Sequence, residues 1–383
     1  KLPSASRPNA IMTNVFLFGT LCWPELLRLV AGATCPSGVA AELPGYHVSW
    51  AKGQAFPAIH AKAGSGAPGM LLRGCDAQVL ARMDHYESGF GYKLHPVSVM
   101  VAGRSVQAQV YLPPDGLAAG SEWSLTDWQE AYGALALEAA WEVMAVMGQM
   151  SPAQLARAYP MMRVRADARL KARSDPAPQS PSGLSRSDVV VHEHSQPYTK
   201  FFALQQADLR VPRFDGAGSE RVERAAFIGT DAAIVLPYDP KTDQVLLVEQ
   251  FRFGPFVRAD AHPWLMEPVA GRIDAGETAQ AAAIRESFEE AGLQITDLHK
   301  VHSGYSSPGC SSEYFHIFVG LADIGDGAAI LSGLPEESED IQGHVLSFDD
   351  FYHRLTTHQL PVVPLALAGY WLAQNRDSLR KNS

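Results

Sequence analysis

The sequence predicts an α+β protein of two domains, and three observations support this prediction. The chain has 383 residues, and at roughly 150 residues per domain such a length accommodates about two or three domains. Short β-like runs precede helical patterns in the first half, whereas several strands and one strong helix occupy the second half. Between the halves, the Ser/Pro/Gly-rich stretch 174–187 has almost no large apolar side chains, so we expect it to link the domains.

The predicted organisation has four segments. They are a first domain at 12–120, a helical extension at 121–175, a linker at 176–187 and a second domain at 188–383. The extension holds two helical patterns, one that starts at Ser124 and one that starts with Ser151-Pro152. Pro160 is expected to kink or end the second helix, because a proline lacks the backbone N–H that the helix needs.

The composition and the net charge of the chain disfavour several classes of binding partner. Hydrophobic residues make up 46% of the chain and charged residues 19%, which is typical of a globular protein. The net charge of −10 disfavours nucleic acid as a partner, because polyanions repel an acidic surface. We expect no membrane partner and a cytoplasmic location, since neither a membrane span nor a basic-then-apolar signal peptide is evident. Four scattered cysteines without a CxxC pair argue against a zinc ribbon or a disulfide framework.

One helical segment of the second half carries clustered acidic residues. Glu286, Glu289 and Glu290 stand at positions i, i+3 and i+4, so three carboxylates share one helix face. Arg285 precedes Glu289 by four residues and can pair with it. Three like charges within one turn repel each other unless a divalent cation lies among them, and such oxygen ligands suit Mg²⁺ or Mn²⁺. For the triplet alone, a solvated acidic face is the alternative.

The residues around this triplet form a longer pattern that resembles the Nudix box, G-x5-E-x7-R-E-U-x-E-E-x-G-U. Every fixed position matches, and Ser287 alone departs from it, where an aliphatic residue is usual. The matching residues are Gly271, Glu277, Arg285, Glu286, Glu289, Glu290, Gly292 and Leu293. The resemblance implies a hydrolase domain with an α/β/α sandwich around a mixed sheet, in which bound metal polarises a diphosphate that water attacks.

The same resemblance implies roles for the residues of the box. Glu286 and Glu290 would be metal ligands, and Ala270 would lend its backbone carbonyl. Glu289 would be a ligand or a bridge and would belong, with Arg285, to the catalytic group, in which Arg285 orients the carboxylates. The implied chemistry is metal-ion catalysis with Mg²⁺, in which the cation neutralises charge and activates water.

A series of residues beyond the box resembles the bacterial ADP-ribose pyrophosphatase branch of this family, across roughly 188–374. The series consists of Phe201-Phe202, Val248 to Arg252, Pro263-Trp264 to Glu267, Ser307-Pro308-Gly309 and Glu336 to Ile341. This resemblance implies hydrolysis of ADP-ribose to AMP and ribose 5-phosphate by a homodimer formed through the second domain. Another nucleoside diphosphate sugar as the substrate, or a sensor that binds ADP-ribose without turnover, are the alternatives.

This branch also implies substrate-binding residues. Arg224 and Arg252 would grip the diphosphate, since arginine offers charge-assisted, bidentate contacts. Glu313 would hold the terminal ribose. Phe201 or Phe202 would stack on adenine, and this side chain would come either from the same subunit or from the partner subunit.

An acidic loop near the end of the second domain supplies two candidates for the general base. Either Glu337 or Glu339 would activate water, because catalysis needs a mobile carboxylate near the metals. A solvated acidic turn is the alternative for this loop.

The first half contains shorter motifs. The apolar run from Val15 to Phe18 leads into Gly19-Thr20-Leu21, whose backbone N–H groups would bind a carboxylate, and Glu87 would shuttle a proton. This order resembles the γ-glutamylcyclotransferase-like fold over about 14–113, which implies a small mixed β-barrel with helices. Ser88 stands where a glycine is usual, so two interpretations stay open: an active cyclase, and a scaffold or ligand-sensing module. The complete chain resembles two-module proteins associated with tellurite resistance.

Overall fold

The computed structural model describes residues 12–114, 116–216, 218–325, 331–332 and 340–381. Contacts divide the chain into two compact units, Lys1–Arg224 and Ala225–Ser383, called here unit 1 and unit 2. The stretch 176–185 contains no helix or strand, and its residues are exposed.

Unit 1 is built around a mixed β-barrel. Its strands are β1 Thr13–Leu17, β2 Gly38–Ala51, β3 Pro57–Cys75, β4 Lys93–Val101, β5 Arg104–Leu112 and β6 Ala119–Glu122. Their order is β3-β1-β5-β4-β2-β6, and a further pairing of β2 with β3 closes the first five strands into a ring. The β1–β5 pair is parallel, whereas the other pairs are antiparallel. The predicted small mixed barrel is therefore confirmed.

The helices of unit 1 share a core with one side of the barrel. They are α1 Pro24–Ala31, α2 Ala77–Ser88, α3 Leu125–Trp128, α4 Ala134–Ala145 and α5 Pro152–Ser174, with a 3-10 turn at Thr20–Cys22 and a π-helical segment at Gln129–Gly133. Ser151 begins α5 with a reciprocal pair of hydrogen bonds to Gln154. The helix continues through Pro160, so the expectation that it could end there is wrong. Burial of Ala158 and Met162 on either side of the proline offsets the lost hydrogen bond.

A separate three-stranded sheet follows in the chain. It consists of β7 Val190–Thr199, β8 Ala203–Arg210 and β9 Val222–Ile228, in the order β7-β8-β9, after a 3-10 turn at Arg186–Asp188. The His194 ring of β7 lies 5.0 Å from the Trp141 ring of α4, measured between centroids. Contacts of this kind explain why the boundary between the units falls after Arg224, whereas the sequence predicts the second domain from 188.

A buried ion pair joins α4 to α5. Arg165 donates from Nη2 to Glu142 Oε2 at 2.7 Å, and both side chains have no exposed surface. Arg169 donates to the other oxygen of Glu142 at 2.7 Å, and Arg165 Nη1 donates to the carbonyl oxygen of Phe201 at 3.1 Å. Each buried charge is therefore matched by an opposite charge and by further hydrogen bonds, which burial of ions requires.

We expect Glu142→Ala to destabilise unit 1 by about 3–5 kcal/mol, because it leaves two guanidinium groups without their shared acid in a buried site. Urea unfolding followed by fluorescence measures this change. The matched control is Glu130→Ala, since Glu130 is exposed and a surface substitution shifts stability by only about 0.5 kcal/mol. Equal midpoints for the two variants would show that the pair contributes little.

Unit 2 contains a mixed sheet of eight strands. They are β10 Asp231–Asp239, β11 Gln244–Phe251, β12 Trp264–Glu267, β13 Val269–Arg272, β14 Asp297–Tyr305, β15 Tyr314–Leu321, β16 Leu331–Ser332 and β17 Ile341–Ser347. The main order is β14-β15-β10-β11-β17-β16, while β12 pairs with β11 and β13 pairs with β10. The β10–β15 pair is parallel, and its neighbours are antiparallel.

Helices cover both faces of this sheet. They are α7 Ala279–Ala291 on one face, and α8 Phe348–Thr356 and α9 Val363–Lys381 on the other, while the short α6 Phe253–Val257 buries no residue. Alternate residues of β10 enter two different cores, since Ile234 and Leu236 pack with α8 and α9, whereas Ala233 and Val235 pack with α7. The predicted α/β/α sandwich is confirmed. No helix in the described part of the chain combines the length and the apolar composition that spanning a membrane requires.

Candidate functional site

Capping interactions define both ends of helix α7. The Thr278 side chain accepts a hydrogen bond from the backbone N–H of Ala281 at 3.1 Å, which caps the first turn. Gly292 ends the helix with φ of 63°, a left-handed conformation that glycine adopts without strain. Leu293 N then donates to Ser287 O, which completes the closing turn. The acidic residues between these ends therefore lie on a helix of defined register.

Helix α7 packs closely against strand β13 at Gly271. A Cβ atom added to Gly271 would lie 1.9 Å from Glu286 Oε1, so a larger residue would displace this carboxylate from its place beside the strand. The adjacent Ser287 is fully buried, and its hydroxyl donates to Ala283 O at 2.8 Å. The one departure from the box is thus compatible with burial, because its polar group has a partner.

Arg285 is the centre of the charged cluster. Its Nη1 donates to Glu286 Oε1 at 2.7 Å and to Glu289 Oε2 at 2.9 Å. Its Nε and Nη2 donate to the two oxygens of Glu277 at 3.0 and 2.9 Å. Hydrogen bonds to Glu277 raise the pKa of Arg285 above its ordinary value, although partial burial opposes the shift. One guanidinium therefore orients three carboxylates, as the sequence predicts for Arg285.

Glu290 is held by the neighbouring strand. Its Oε2 accepts a hydrogen bond from Ala270 N at 3.1 Å, and the residue is 4% exposed. The structure therefore brings Ala270, Glu286, Glu289 and Glu290 to one contact between β13 and α7. Within the described ranges, no three His, Cys, Asp or Glu side chains are already arranged to hold a metal ion. The carboxylate oxygens have the right chemistry for a hard divalent cation.

A second group lies at the ends of β11, β12 and β15. Arg252 Nε donates to Glu267 Oε2 at 2.7 Å. Burial raises the pKa of Glu267, and the charge of Arg252 opposes that shift. Burial also raises the pKa of Glu313, and a hydrogen bond from Ser306 and the charge of Arg252 act in the opposite direction. The charge of Arg252 thus acts on Glu313 as well as on Glu267.

The other substrate candidates lie apart from these groups in the sequence, within unit 1. Phe201 and Phe202 occupy the turn between β7 and β8, with ring centroids 4.7 Å apart, and both are about half exposed. Arg224 is exposed, and its Nη1 donates to the adjacent Glu223 O. Glu337 and Glu339, the candidate bases, lie outside the described residues.

Unit 1 contains a cavity of about 310 Å³ that brings its predicted residues together. Gly19, Thr20 and Leu21 line it with Glu87, which lies near the end of α2. Gly19 to Leu21 open a 3-10 turn, where backbone N–H groups have no partner within the turn itself. The predicted juxtaposition of this loop with Glu87 is therefore present in the structure.

Burial raises the pKa of Glu87 from its ordinary 4.5 to about 8. Glu87 is half-buried by surface area and lines the cavity. Desolvation disfavours a carboxylate, so Glu87 is largely protonated at neutral pH. Such a group can exchange a proton near pH 8, which suits acid–base chemistry.

Glu87→Gln tests this desolvation through the pH dependence of stability. Because the folded pKa is raised, the native state binds more protons than the unfolded state between pH 4.5 and about 8. Native stability therefore falls as pH rises through that window, by up to about 1.4 kcal/mol per pKa unit. Relative to the native protein, we expect the variant to be increasingly stable from pH 4.5 to 8 in urea titrations of unit 1. A constant difference would contradict the raised pKa.

Sequence reasoning missed two charged residues. Glu267 is buried beside Arg252. Its place in the Pro263-to-Glu267 segment of the family resemblance was the one feature of the sequence that pointed to it. Arg163 lines the unit 1 cavity with Tyr159, four residues earlier on α5. The i, i+4 spacing was visible, but nothing in the sequence indicated which side of α5 faces a cavity.

Two family comparisons agree with this geometry. Residues 229–366 match the NUDIX domain, and residues 15–130 match the family described as "Gamma-glutamyl cyclotransferase, AIG2-like". The chain belongs to the Nudix hydrolase family through unit 2 and carries a γ-glutamylcyclotransferase-like domain in unit 1.

Individual relatives share the family assignment. The chain is 34% identical to the ADP-ribose pyrophosphatase of Haemophilus influenzae over 201 residues, which cover 52% of this chain and 92% of that protein. It is 35% identical to the ADP-ribose pyrophosphatase of Escherichia coli over 200 residues, which cover 52% of this chain and 95% of that protein. It is 28% identical to the GDP-mannose pyrophosphatase of Shigella flexneri over 160 residues, which cover 42% of this chain and 82% of that protein.

Proposed function

We propose that unit 2 hydrolyses the diphosphate of ADP-ribose to AMP and ribose 5-phosphate. The observation that carries the proposal is the complete box with its acids oriented by Arg285. The two relatives named ADP-ribose pyrophosphatase support the substrate, because the similarity extends over nearly their whole length.

We propose Mg²⁺ as the cofactor, with Mn²⁺ as a substitute. Glu286, Glu289, Glu290 and the carbonyl of Ala270 would hold it, since hard cations prefer oxygen ligands. A bound cation would supply charge neutralisation and a more acidic water. The contribution of the chain is orientation: Gly271 admits the Glu286 carboxylate, and Arg285 offsets the repulsion between the acids.

Arg252 and Glu313 are the proposed binding residues for the diphosphate and the terminal ribose. The Arg252 guanidinium is held through Nε by Glu267, and its terminal nitrogens donate no hydrogen bond to any described residue. Two donors on one planar group suit two phosphate oxygens. Arg224 remains a proposed second contact to the diphosphate, and Phe201 or Phe202 a proposed platform for adenine.

The proposed base is a carboxylate of the acidic loop. Glu337 and Glu339 remain equal candidates, because catalysis needs a carboxylate that can approach the attacked phosphorus. Glu337→Gln and Glu339→Gln, assayed separately, would distinguish them.

The charged cluster yields a direct test of the proposed activity. Glu286→Gln and Glu290→Gln keep side-chain shape and remove ligand charge, so we expect each to lower AMP release from ADP-ribose by at least about 100-fold at saturating Mg²⁺. The control is Asp377→Asn, an exposed acid on α9, which should keep full activity. Near-normal turnover by either Gln variant would remove this mechanism.

A second nucleoside diphosphate sugar is the alternative substrate. The relative named GDP-mannose pyrophosphatase favours this alternative, although its identity of 28% is lower. A panel of nucleoside diphosphate sugars, assayed for nucleoside monophosphate release, separates the two substrates. Binding of ADP-ribose without release of AMP would instead indicate a sensor.

We also propose a homodimer formed through the second domain at 188–383. Phe251, Phe253, Phe256 and Trp264 form an exposed aromatic patch, in which Phe253 is 66% and Trp264 59% exposed. The Phe251 and Trp264 rings lie 5.3 Å apart, and those of Phe253 and Phe256 lie 5.9 Å apart. Contiguous exposed apolar surface of this kind marks interaction sites, and a two-fold axis would cover both copies.

Light scattering should therefore give close to twice the chain mass of 41.5 kDa. Phe253→Ser combined with Trp264→Ser should shift the protein toward the monomer, since the variant replaces apolar contact area with hydroxyl groups. Val39→Ser is the control, because Val39 is an exposed apolar residue on β2, outside the second domain. A native monomer at micromolar concentration would contradict the dimer.

The domain bounds 12–120, 121–175, 176–187 and 188–383 stay a prediction, as does the cytoplasmic location. For unit 1, an active cyclase and a ligand-sensing module both remain proposals. Glu87 within a cavity is compatible with either, because a desolvated acid can transfer a proton or donate a hydrogen bond.

A further inference from the structure

The cavity of unit 1 is completed by residues beyond the region that matches the cyclotransferase family. That region ends at residue 130. Leu135 and Ala136 of α4, together with Tyr159 and Arg163 of α5, line the same cavity as Glu87. The two helices therefore contribute part of the wall and can give this site a specificity of its own.

Arg163 places a positive charge in this wall, and no described residue pairs with that charge. The residue is half-buried, and it forms no hydrogen bond or ion pair with any part of the chain that the structure describes. Burial raises the pKa of Tyr159, and the charge of Arg163 opposes that shift, so the charge acts on the lining of the cavity. A partly desolvated cation is costly without an opposite charge, which favours an anion in the cavity.

Glu87 does not neutralise Arg163. Both residues line the cavity, yet no ion pair joins them. Burial alone accounts for the shift of the Glu87 pKa to about 8, so this acid is mostly uncharged at neutral pH. The formal charge of the lining is then that of Arg163.

The remaining wall suits an apolar body. Phe16, Phe18, Phe56, Phe90 and Trp128 are aromatic residues of the lining. Tyr92 and Tyr111 also line it, but their hydroxyl groups are engaged by Pro57 O and by Asp84. Aromatic walls with few free polar groups bind apolar ligand surface, and the polar groups determine orientation.

We propose that the unit 1 cavity binds a small organic anion, with its carboxylate or phosphate group on Arg163 and its apolar body among the aromatic rings. Arg163 is then a specificity-determining residue that α5 adds to the cyclotransferase-like domain. This site is independent of the diphosphate hydrolysis proposed for unit 2.

Three probes of similar size test the proposal on the full chain at neutral pH. They are 3-phenylpropionate, phenyl phosphate and the neutral 3-phenylpropionamide, with binding measured by titration calorimetry and by the fluorescence of the tryptophans, of which Trp128 lines the cavity. We expect at least one anion to bind about tenfold more tightly than the amide, as one charge-assisted contact allows. The tighter anion identifies the group, carboxylate or phosphate, that the site prefers.

Substitutions on α4 and α5 test whether Arg163 causes the preference for an anion over the amide. Arg163→Gln should reduce the affinity of the anion to that of the amide, and Arg163→Lys should retain part of the preference because it keeps the charge. The control is Arg157→Gln, since Arg157 is exposed on the same helix and does not line the cavity. Leu135→Trp fills the cavity and should weaken all three probes.

Four results would overturn the proposal. They are equal affinity of the amide and both anions for the native protein, a preference that survives in Arg163→Gln, binding that survives in Leu135→Trp, and no binding of any probe at millimolar concentration. Thermal melting of each variant verifies that its fold is retained.

Discussion

The close approach of β13 and α7 is the constraint on which the hydrolase site depends. At Gly271 a single methyl group would occupy the position of the Glu286 carboxylate. Without that approach, Glu290 could not reach the backbone N–H of Ala270, and the acids of α7 would face solvent instead of the strand. Gly271 therefore matters because it has no side chain, not because of its backbone conformation. The space beside it admits a carboxylate between the packed strand and helix.

The acids brought together in this way create repulsion that Arg285 offsets. Its planar group contacts Glu277, Glu286 and Glu289 at once, which a point charge such as lysine could not do with the same geometry. Glu277 in turn accepts a hydrogen bond from Asp274 N, so the loop before α7 is tied to the helix. The same contacts that stabilise the loop also orient the residues proposed for metal binding.

Buried charges in unit 1 fall into two groups. Glu142 and Arg165 form a buried ion pair that Arg169 shares, and their hydrogen bonds hold α4, α5 and the turn at Phe201 together. Glu87 and Arg163 face a common cavity without an ion pair between them. A matched pair stabilises structure, whereas unmatched groups around an open space are costly unless a ligand uses them.

The local sequence was sufficient for the box and for the shared helix face of Glu286, Glu289 and Glu290. These features depend on residues within one turn or one strand, where spacing alone decides which side chains share a face. Pro160 shows the limit of such reasoning, because long-range burial of its helix outweighed a local penalty. Ser287 shows the same limit, since only the folded helix reveals that its hydroxyl donates a hydrogen bond to Ala283 O.

The sequence by itself, through its resemblance to the Nudix family, therefore indicated the family and the sandwich, and it supplied the acids proposed for the hydrolase site. Tertiary structure alone decided that Glu267 supports Arg252, that Glu87 is desolvated, and that Arg163 turns toward a cavity. The physical reason is that desolvation and ion pairing depend on which distant segments pack around a group, and no spacing within one segment contains that information.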